Sequence, residues 1–226
     1  MRRMQTTIYV SIAVLVAAFF LLPLIWMIST SLKNDFEALS GQMNFIPNKP
    51  TLDNYIQGLT GGLMNVPIGR WITNSLSVAV ASTGLILLFS SMAAFALARL
   101  PDLPLRKSMI SVFIASLMIP GVLTFLPMYM EFNALGLINT YYALTLPYTA
   151  GAFGVFLLFQ FFTSFPKEIE EAARIDGANK WQVYSRIVLP SSVSIMVTLG
   201  IFSFMAVYND FVWPLYVTTS PEMRTI

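Results

Sequence analysis

The 226-residue chain has no cysteine and no histidine. Without cysteine there are no disulfides and no thiol chemistry. Without histidine the commonest metal ligand and the commonest general base are gone, and an H-E-x-x-H protease is excluded. Charge is also scarce. Asp, Glu, Lys and Arg make up 11% of the residues, where a typical soluble domain carries about 25%. In their place stand apolar residues at 56%, with a mean hydropathy of +0.70.

Several of the charge-poor stretches are long enough to cross a bilayer. A hydrocarbon core of about 30 Å needs roughly 20 apolar residues at about 1.5 Å each. Five candidate spans cover 8–28, 72–98, 108–130, 142–162 and 192–208. They are apolar nearly all round, whereas the helices of a soluble core would show polar faces at the helical period. Arg2 and Arg3 before the first run resemble the start of a signal peptide. The run continues to residue 28, however, and Ser29-Thr30-Ser31-Leu32 offers no small-residue cleavage site, so an uncleaved first helix is expected.

Lys and Arg predict the orientation. They concentrate in alternate segments: Arg2 and Arg3, then Arg99, Arg106 and Lys107, then Lys167, Arg174, Lys180 and Arg186. Segment 131–141 has none, and 33–70 is balanced in sign. The N-terminus, 99–107 and 163–191 are therefore expected in the cytoplasm. The sequence shows no internal repeat, low-complexity tract or separate soluble domain. Segment 33–70, with Pro47, Pro50, Gly61, Gly62 and Pro67 as turn formers, reads equally as a folded cap or a surface linker.

Loop 163–191 is the one markedly polar insert. Pro166 suits a helix start, and Glu168, Glu170 and Glu171 suit its positive end. Ile169, Ala172 and Ala173 share a small, smooth face. Asp176-Gly177 reads as a turn, Asp176 being also a candidate cap for the next helix. There Trp181, Tyr184, Ile187 and Val188 align as a stripe, and Pro190 is placed to kink the entry to the last span. An interfacial helix that merely connects two spans is the plainer interpretation of such a loop.

The spacing Glu171-Ala172-Ala173, three residues, Gly177, nine residues, then Ile187, Leu189 and Pro190 is more specific. It resembles the cytoplasmic coupling motif of the membrane subunits (permeases) of binding-protein-dependent ABC importers. Pro50-Thr51-Leu52-Asp53-Asn54-Tyr55 is similar to the PTLxNY stretch of sugar permeases, and Asn74-Ser75 to the pair opening their second span. Leu135-Gly136-Leu137-Ile138-Asn139-Thr140 with Leu146-Pro147-Tyr148 is similar to their LGLxNT…LPY segments. Tyr208-Asn209-Asp210-Phe211-Val212-Trp213-Pro214-Leu215 resembles WNDFxWPL, with Tyr for the first Trp. Together these stretches cover most of the chain and resemble the carbohydrate branch, the smaller maltose-type permease in particular.

The resemblance implies an all-α, polytopic membrane protein: a single permease domain over 1–226 with its coupling loop at 163–191, between the fourth and fifth spans. The family usually has six spans, so five are present and Met223-Arg224-Thr225-Ile226 is expected to lead toward the sixth. The implied setting is a bacterial or archaeal cytoplasmic membrane, surrounded by lipid. The implied partners are an ABC ATPase dimer, a second homologous permease subunit and an extracytoplasmic solute-binding protein, with no nucleic acid. ATP and Mg would reside on the ATPase; this chain would hold no cofactor and catalyse nothing. Within the motif, Glu171 would anchor the ATPase, Ala172 and Ala173 would pack on it, and Asp176 and Gly177 would make the turn that precedes Ile187, Leu189 and Pro190.

Candidates for the solute pathway follow from polarity near span ends. Asp210 and Glu131 face either a polar vestibule or the interface, and Asn74, Tyr129 and Asn209 are suited to sugar hydroxyls. Gly121, Gly151 and Gly154 are expected to allow close helix packing, and Pro120 and Pro147 to mark kinks. An ion-coupled secondary transporter is the alternative function. Proton coupling normally needs buried acids or histidine, nearly absent here. Sodium coupling at broken helices is compatible with the sequence but leaves the 171–190 motif unexplained.

Overall fold

The computed structural model describes residues 2–41, 44–60, 67–100 and 102–226, and every regular element among them is helical. The chain divides into two compact units, Met1–Gly69 and Arg70–Ile226.

In the first unit, α1 (Arg2–Ser31) is followed by the short α2 (Asp35–Leu39) and α3 (Asp53–Thr60). The apolar part of α1, Gln5–Ser31, has a mean hydropathy of 2.7, and residues 5–25 are exposed throughout. Lipid is the natural solvent for such a surface. A helix end leaves carbonyls unsatisfied, and here residues 51–55 supply the donors. Thr51 N–H donates to Leu32 O at 2.9 Å, and the Asn54 amide donates to Ser31 O and Lys33 O at 3.0 and 2.7 Å. The Tyr55 hydroxyl meets Ser31 Oγ at 2.7 Å. Lys33 is buried here, its ammonium donating to Asn44 O at 2.6 Å and lying 4.6 Å from the Trp26 ring centroid. Segment 50–55 is thus a clasp on the end of α1. The turn formers Gly61 and Gly62 lie outside the described residues.

The second unit is built along α4 (Ile68–Arg99), whose 32 residues span about 48 Å. Then follow α5 (Arg106–Ser116), α6 (Gly121–Ala134), α7 (Tyr141–Thr149), α8 (Ala152–Ser164), α9 (Lys167–Ile175) and α10 (Lys180–Val183). A π turn at Tyr184–Val188 leads to α11 (Leu189–Ser191), α12 (Val193–Tyr208) and α13 (Val212–Val217). Two apolar clusters serve the two halves of α4. Val78, Ala79 and Ile86 pack with Ala143, Leu144, Val207, Trp213 and Val217. Farther along, Ala94 and Phe95 pack with Leu158, Phe162, Val183, Tyr184, Val188 and Leu199.

Three stretches are long and apolar enough to cross a membrane unaided: Gln5–Ser31, Ile68–Arg99 and Tyr141–Ser164. Counting each of two bent helix pairs as one span gives five. The kink expected at Pro120 is present within 108–130, where α5 and α6 meet at 103°. Pro120 offers no N–H and disfavours a helical residue before it. The N–H groups of Leu117, Met118 and Ile119 instead bond three residues back, to Ile114, Ala115 and Ser116. Leu-Met-Ile-Pro-Gly is apolar throughout, so hydropathy registers no interruption. The kink expected near Pro190 is present: the stretch Lys180–Ser191 meets α12 at 75°.

Gly154 is the glycine that close packing requires. A Cβ there would lie 2.5 Å from Ser90 Oγ and 3.3 Å from Leu199 Cδ2, so α8 sits directly against α4 and α12. Gly121 has no such neighbour, contrary to expectation; a Cβ there meets open space. At Gly151 a Cβ would make ordinary contact, 3.7 Å from Tyr148 O.

Candidate functional site

The insert after α8 folds as helix, turn and helix. Pro166 precedes α9, which ends in a Schellman arrangement: Ala178 N–H reaches Ala173 O at 2.9 Å and Gly177 N–H reaches Arg174 O at 3.0 Å. Gly177 has φ +86°, a conformation that costs glycine little and other residues more. Asp176 closes α9 rather than opening the next helix. That cap is Asn179, whose Oδ1 accepts from Gln182 N–H at 2.9 Å while Gln182 Oε1 accepts from Asn179 N–H at 2.8 Å. Two donors at the start of α10 are satisfied reciprocally.

The loop is tied to the C-terminal end of α4. Glu170, on α9, and Arg99, the last residue of α4, are 4% and 6% exposed, with Glu170 Oε1 2.9 Å from Arg99 Nε. This is the only ion pair found among the described residues. Arg99 Nη2 also donates to Phe165 O at 2.5 Å, between α8 and α9. Arg106 donates to Leu97 O and Ala98 O, capping the carbonyl end of α4. One turn earlier than Phe95, the Ser91 and Tyr184 hydroxyls share a buried hydrogen bond of 2.8 Å. Neither segment 99–107 nor loop 163–191 is therefore an isolated surface excursion; the two basic segments meet at one end of the fold.

The motif residues divide between the two faces of this loop. Ala173 is half-buried against the cluster around Phe95, and Ile187 and Leu189 are half-buried. Glu171, Ala172, Asp176, Gly177 and Pro190 are exposed. Ile169, Ala172 and Ile175 follow one another at three-residue spacing on the open side of α9, Ile175 being 87% exposed. Trp181 is 60% exposed, so the stripe expected on the second helix is only partly buried, through Tyr184 and Val188. Glu171 borders a cleft of about 320 Å³ with Arg99, Arg106, Lys167 and Arg174.

The solute-pathway candidates lie toward the other end of α4, where three of them carry structural bonds. The Asn74 amide donates to Glu222 O and Arg224 O at 2.8 and 2.9 Å, and its oxygen accepts from the Tyr141 hydroxyl at 2.9 Å. Both of its donor hydrogens are thereby used within the chain. Asp210 Oδ2 accepts from the Tyr148 hydroxyl at 2.7 Å, and Oδ1 accepts from Val212 N–H and Trp213 N–H at 3.0 and 3.3 Å. The Asn209 amide donates to Met205 O at 2.8 Å, closing α12. Tyr129 packs on the cluster around Trp213, and Glu131 is exposed on α6.

Sequence reasoning missed the residues that complete this brace. Asn139, at φ +62°, accepts at Oδ1 from Thr219 N–H, Ser220 N–H and Ser220 Oγ. Trp213 Nε1 donates to Ala143 O at 2.7 Å. The stretches 135–148 and 208–215, which resemble family signatures, are the two halves of one hydrogen-bonded brace. Arg99 and Glu170 were missed as well. Their signal was a charge ending a long apolar helix and an acid immediately before the Glu-Ala-Ala triplet.

Residues 86–226 match a family model described as binding-protein-dependent transport system inner membrane component. The chain is 37% identical over 206 residues to a putative ABC transporter permease protein, ORF2, of Caldicellulosiruptor sp. (strain Rt8B.4), covering 90% of this chain and 73% of that one. It is 36% identical over 208 residues to the sulfoquinovosyl glycerol transport system permease protein SmoH of Agrobacterium fabrum, covering 91% and 71%. It is 31% identical over 217 residues to the trehalose/maltose transport system permease protein MalG of Thermococcus litoralis, covering 95% and 76%. The crystal structure of a bacterial ABC transporter involved in the import of the acidic polysaccharide alginate contains a chain of the same fold. It matches with a TM-score of 0.84 and 21% identity, over 98% of this chain and 76% of that one.

Proposed function

The chain belongs to the family of binding-protein-dependent transport system inner membrane components, and from that premise we propose that it is the permease subunit of an ATP-driven importer for a carbohydrate or related solute. The observation that carries the coupling role is the loop at 163–191: a short helix locked to α4 on one side and open on the other, with Ile169, Ala172 and Ile175 presented outward. Small and apolar side chains permit close approach by another protein, and Glu171 places a carboxylate beside them. An ATPase dimer with ATP and Mg is the partner that this face fits. The carbohydrate assignment is supported by the names of relatives, among them permeases for trehalose/maltose and for lactose.

A second permease would complete the pore, and an extracytoplasmic binding protein would deliver solute to the side opposite the loop. The clustering of Arg99, Arg106, Lys167, Arg174 and Lys180 toward one end supports a cytoplasmic loop and a cytoplasmic N-terminus. Among the pathway candidates, Tyr129 and Glu131 are favoured over Asn74, Asn209 and Asp210, whose side chains bond within the chain.

Co-purification from membranes with a candidate ATPase tests the coupling role. Wild type should retain the ATPase. Glu171→Ala should lose most of it, as should Gly177→Pro, because proline is fixed near φ −65° and cannot take the φ of +86° found here. Equal retention by all three chains at equal abundance would contradict the assignment.

A further inference from the structure

Glu170 and Arg99 are unusual in this molecule. Charged side chains are rarely buried unless paired, because removing either charge from water is costly. This pair joins elements far apart in sequence, the last residue of α4 and the middle of α9. The Arg99 fork also holds Phe165 O at the α8–α9 corner, and its guanidinium lies 5.9 Å from the Phe165 ring centroid. The Nε–Oε1 contact is an ion pair without hydrogen-bond geometry, while the planar guanidinium also binds the Phe165 carbonyl in a second direction, which a point charge does less well. The Ser91–Tyr184 bond adds a second tie between α4 and the same loop. Both ties face the interior, while Glu171, Ala172 and Ile175 on the same helix face outward.

We propose that Arg99 and Glu170 are positioning residues that make α9 and α4 a single moving body, so that force received on the exposed face of α9 is delivered to α4 as well as to the covalently attached α8 and α12. The proposal rests on the coupling role given above. Glu170 thus has a task distinct from that of Glu171: the first holds the lever to the long helix, the second meets the partner. Alternating access in transporters proceeds through largely rigid motion of helical bodies, and a lever connected only through its flanking corners would leave α4 behind.

Because the chain has no cysteine, spin labels can be placed uniquely at Val80→Cys on α4 and Glu168→Cys on α9, both exposed positions. The label on α4 is about 28 Å along the helix from Arg99, within range of dipolar distance measurement. The labelled full chain is measured in its complex with the ATPase, without nucleotide and with ATP plus orthovanadate. The expected result is one narrow distance that nucleotide leaves unchanged. Glu170→Gln should broaden it and make its mean shift with nucleotide by about 2 Å or more, the scale of helix shifts at moving interfaces. Glu170→Asp should restore the narrow distribution.

If Glu170→Gln does not accumulate, Arg99→Lys replaces it and is expected to broaden the distribution in the same way. A narrow, nucleotide-independent distance in the substituted chain overturns the proposal. So does a nucleotide-dependent shift in the labelled parent chain. ATPase retention is read on the same preparations. Its absence from the parent removes the coupling role itself, and the proposal with it. Its loss only from Glu170→Gln and not Glu170→Asp assigns Glu170 to the docking surface and also overturns the proposal.

Discussion

At the N-terminal end of α4 the fold is held by neutral side chains bonded mostly to backbone: Asn74 to Glu222 O and Arg224 O, Asn139 to residues 219 and 220, Trp213 to Ala143 O. Asp210 is the one acid in the network, and its acceptors are filled by Tyr148 and two N–H groups. At the C-terminal end Arg99 and Arg106 also reach backbone carbonyls, but two ties run between side chains on separate elements, Arg99 to Glu170 and Ser91 to Tyr184. The difference is instructive. Side chains that bond backbone fix the path of irregular segments, as at 209–226. Side chains that bond each other connect elements that are already regular and can travel intact. The first end is built as a brace and the second as a joint.

The largest loss is expected at the joint. Arg99→Ala leaves the Glu170 carboxylate buried without its counter-charge, at a cost of about 3–5 kcal/mol. Thermal unfolding of the purified chain in detergent should drop accordingly; a melt within a degree or so of wild type would show that Glu170 is hydrated or otherwise paired. The brace should yield less per residue. Asn74→Leu strips the two carbonyls of residues 222 and 224 of their amide donor, each loss being about 1–3 kcal/mol where water cannot substitute. Limited proteolysis should then cut 218–226 faster while leaving the loop at 163–191 protected.

Between the two ends, Gly154→Ala forces a methyl group against Ser90 and should destabilise by about 1–3 kcal/mol. Ser90→Gly should recover most of that loss in the double variant, which would identify the α4–α8 contact as its source. The smallest effect is expected at Asn179→Ala, which removes one arm of the capping box for about 1 kcal/mol. Hydrogen exchange should quicken at the amides of residues 180–183 and stay unchanged at the brace.

Much of this arrangement was legible in the sequence, and the exceptions have physical causes. Segments without charge gave the helical membrane architecture, because hydropathy reports burial in lipid directly. The order of Pro166, three acids, Asp176-Gly177 and an aromatic stripe gave the helix, turn and helix of the loop. The break at 117–120 was marked only by Pro120, because its residues are as apolar as those on either side and hydropathy gives no sign of how sharp the bend is. Asp176 and Gly177 form the expected turn, whereas the cap, for which Asp176 was only a candidate, is Asn179, three residues before Gln182 in the pattern of a capping box. Asn74 and Asp210 stood out as polar residues at span ends, yet polarity alone does not distinguish a group awaiting a ligand from one bonded to its own chain. Arg99 and Glu170 were read by charge, one for topology and one for the helix dipole. A pairing across seventy-one positions has no local signature.

The most direct test of the account is site-specific photo-cross-linking in intact membranes from a strain that makes the whole transporter. A photoreactive residue replaces Ala172, on the open face of α9, or Tyr142, exposed at the start of α7 near the brace. The probe at 172 should capture a subunit identified by mass spectrometry as an ABC ATPase, and the probe at 142 should capture none. Capture of the ATPase from 142 and not from 172 would contradict the account, because the joint and the brace would then have exchanged roles.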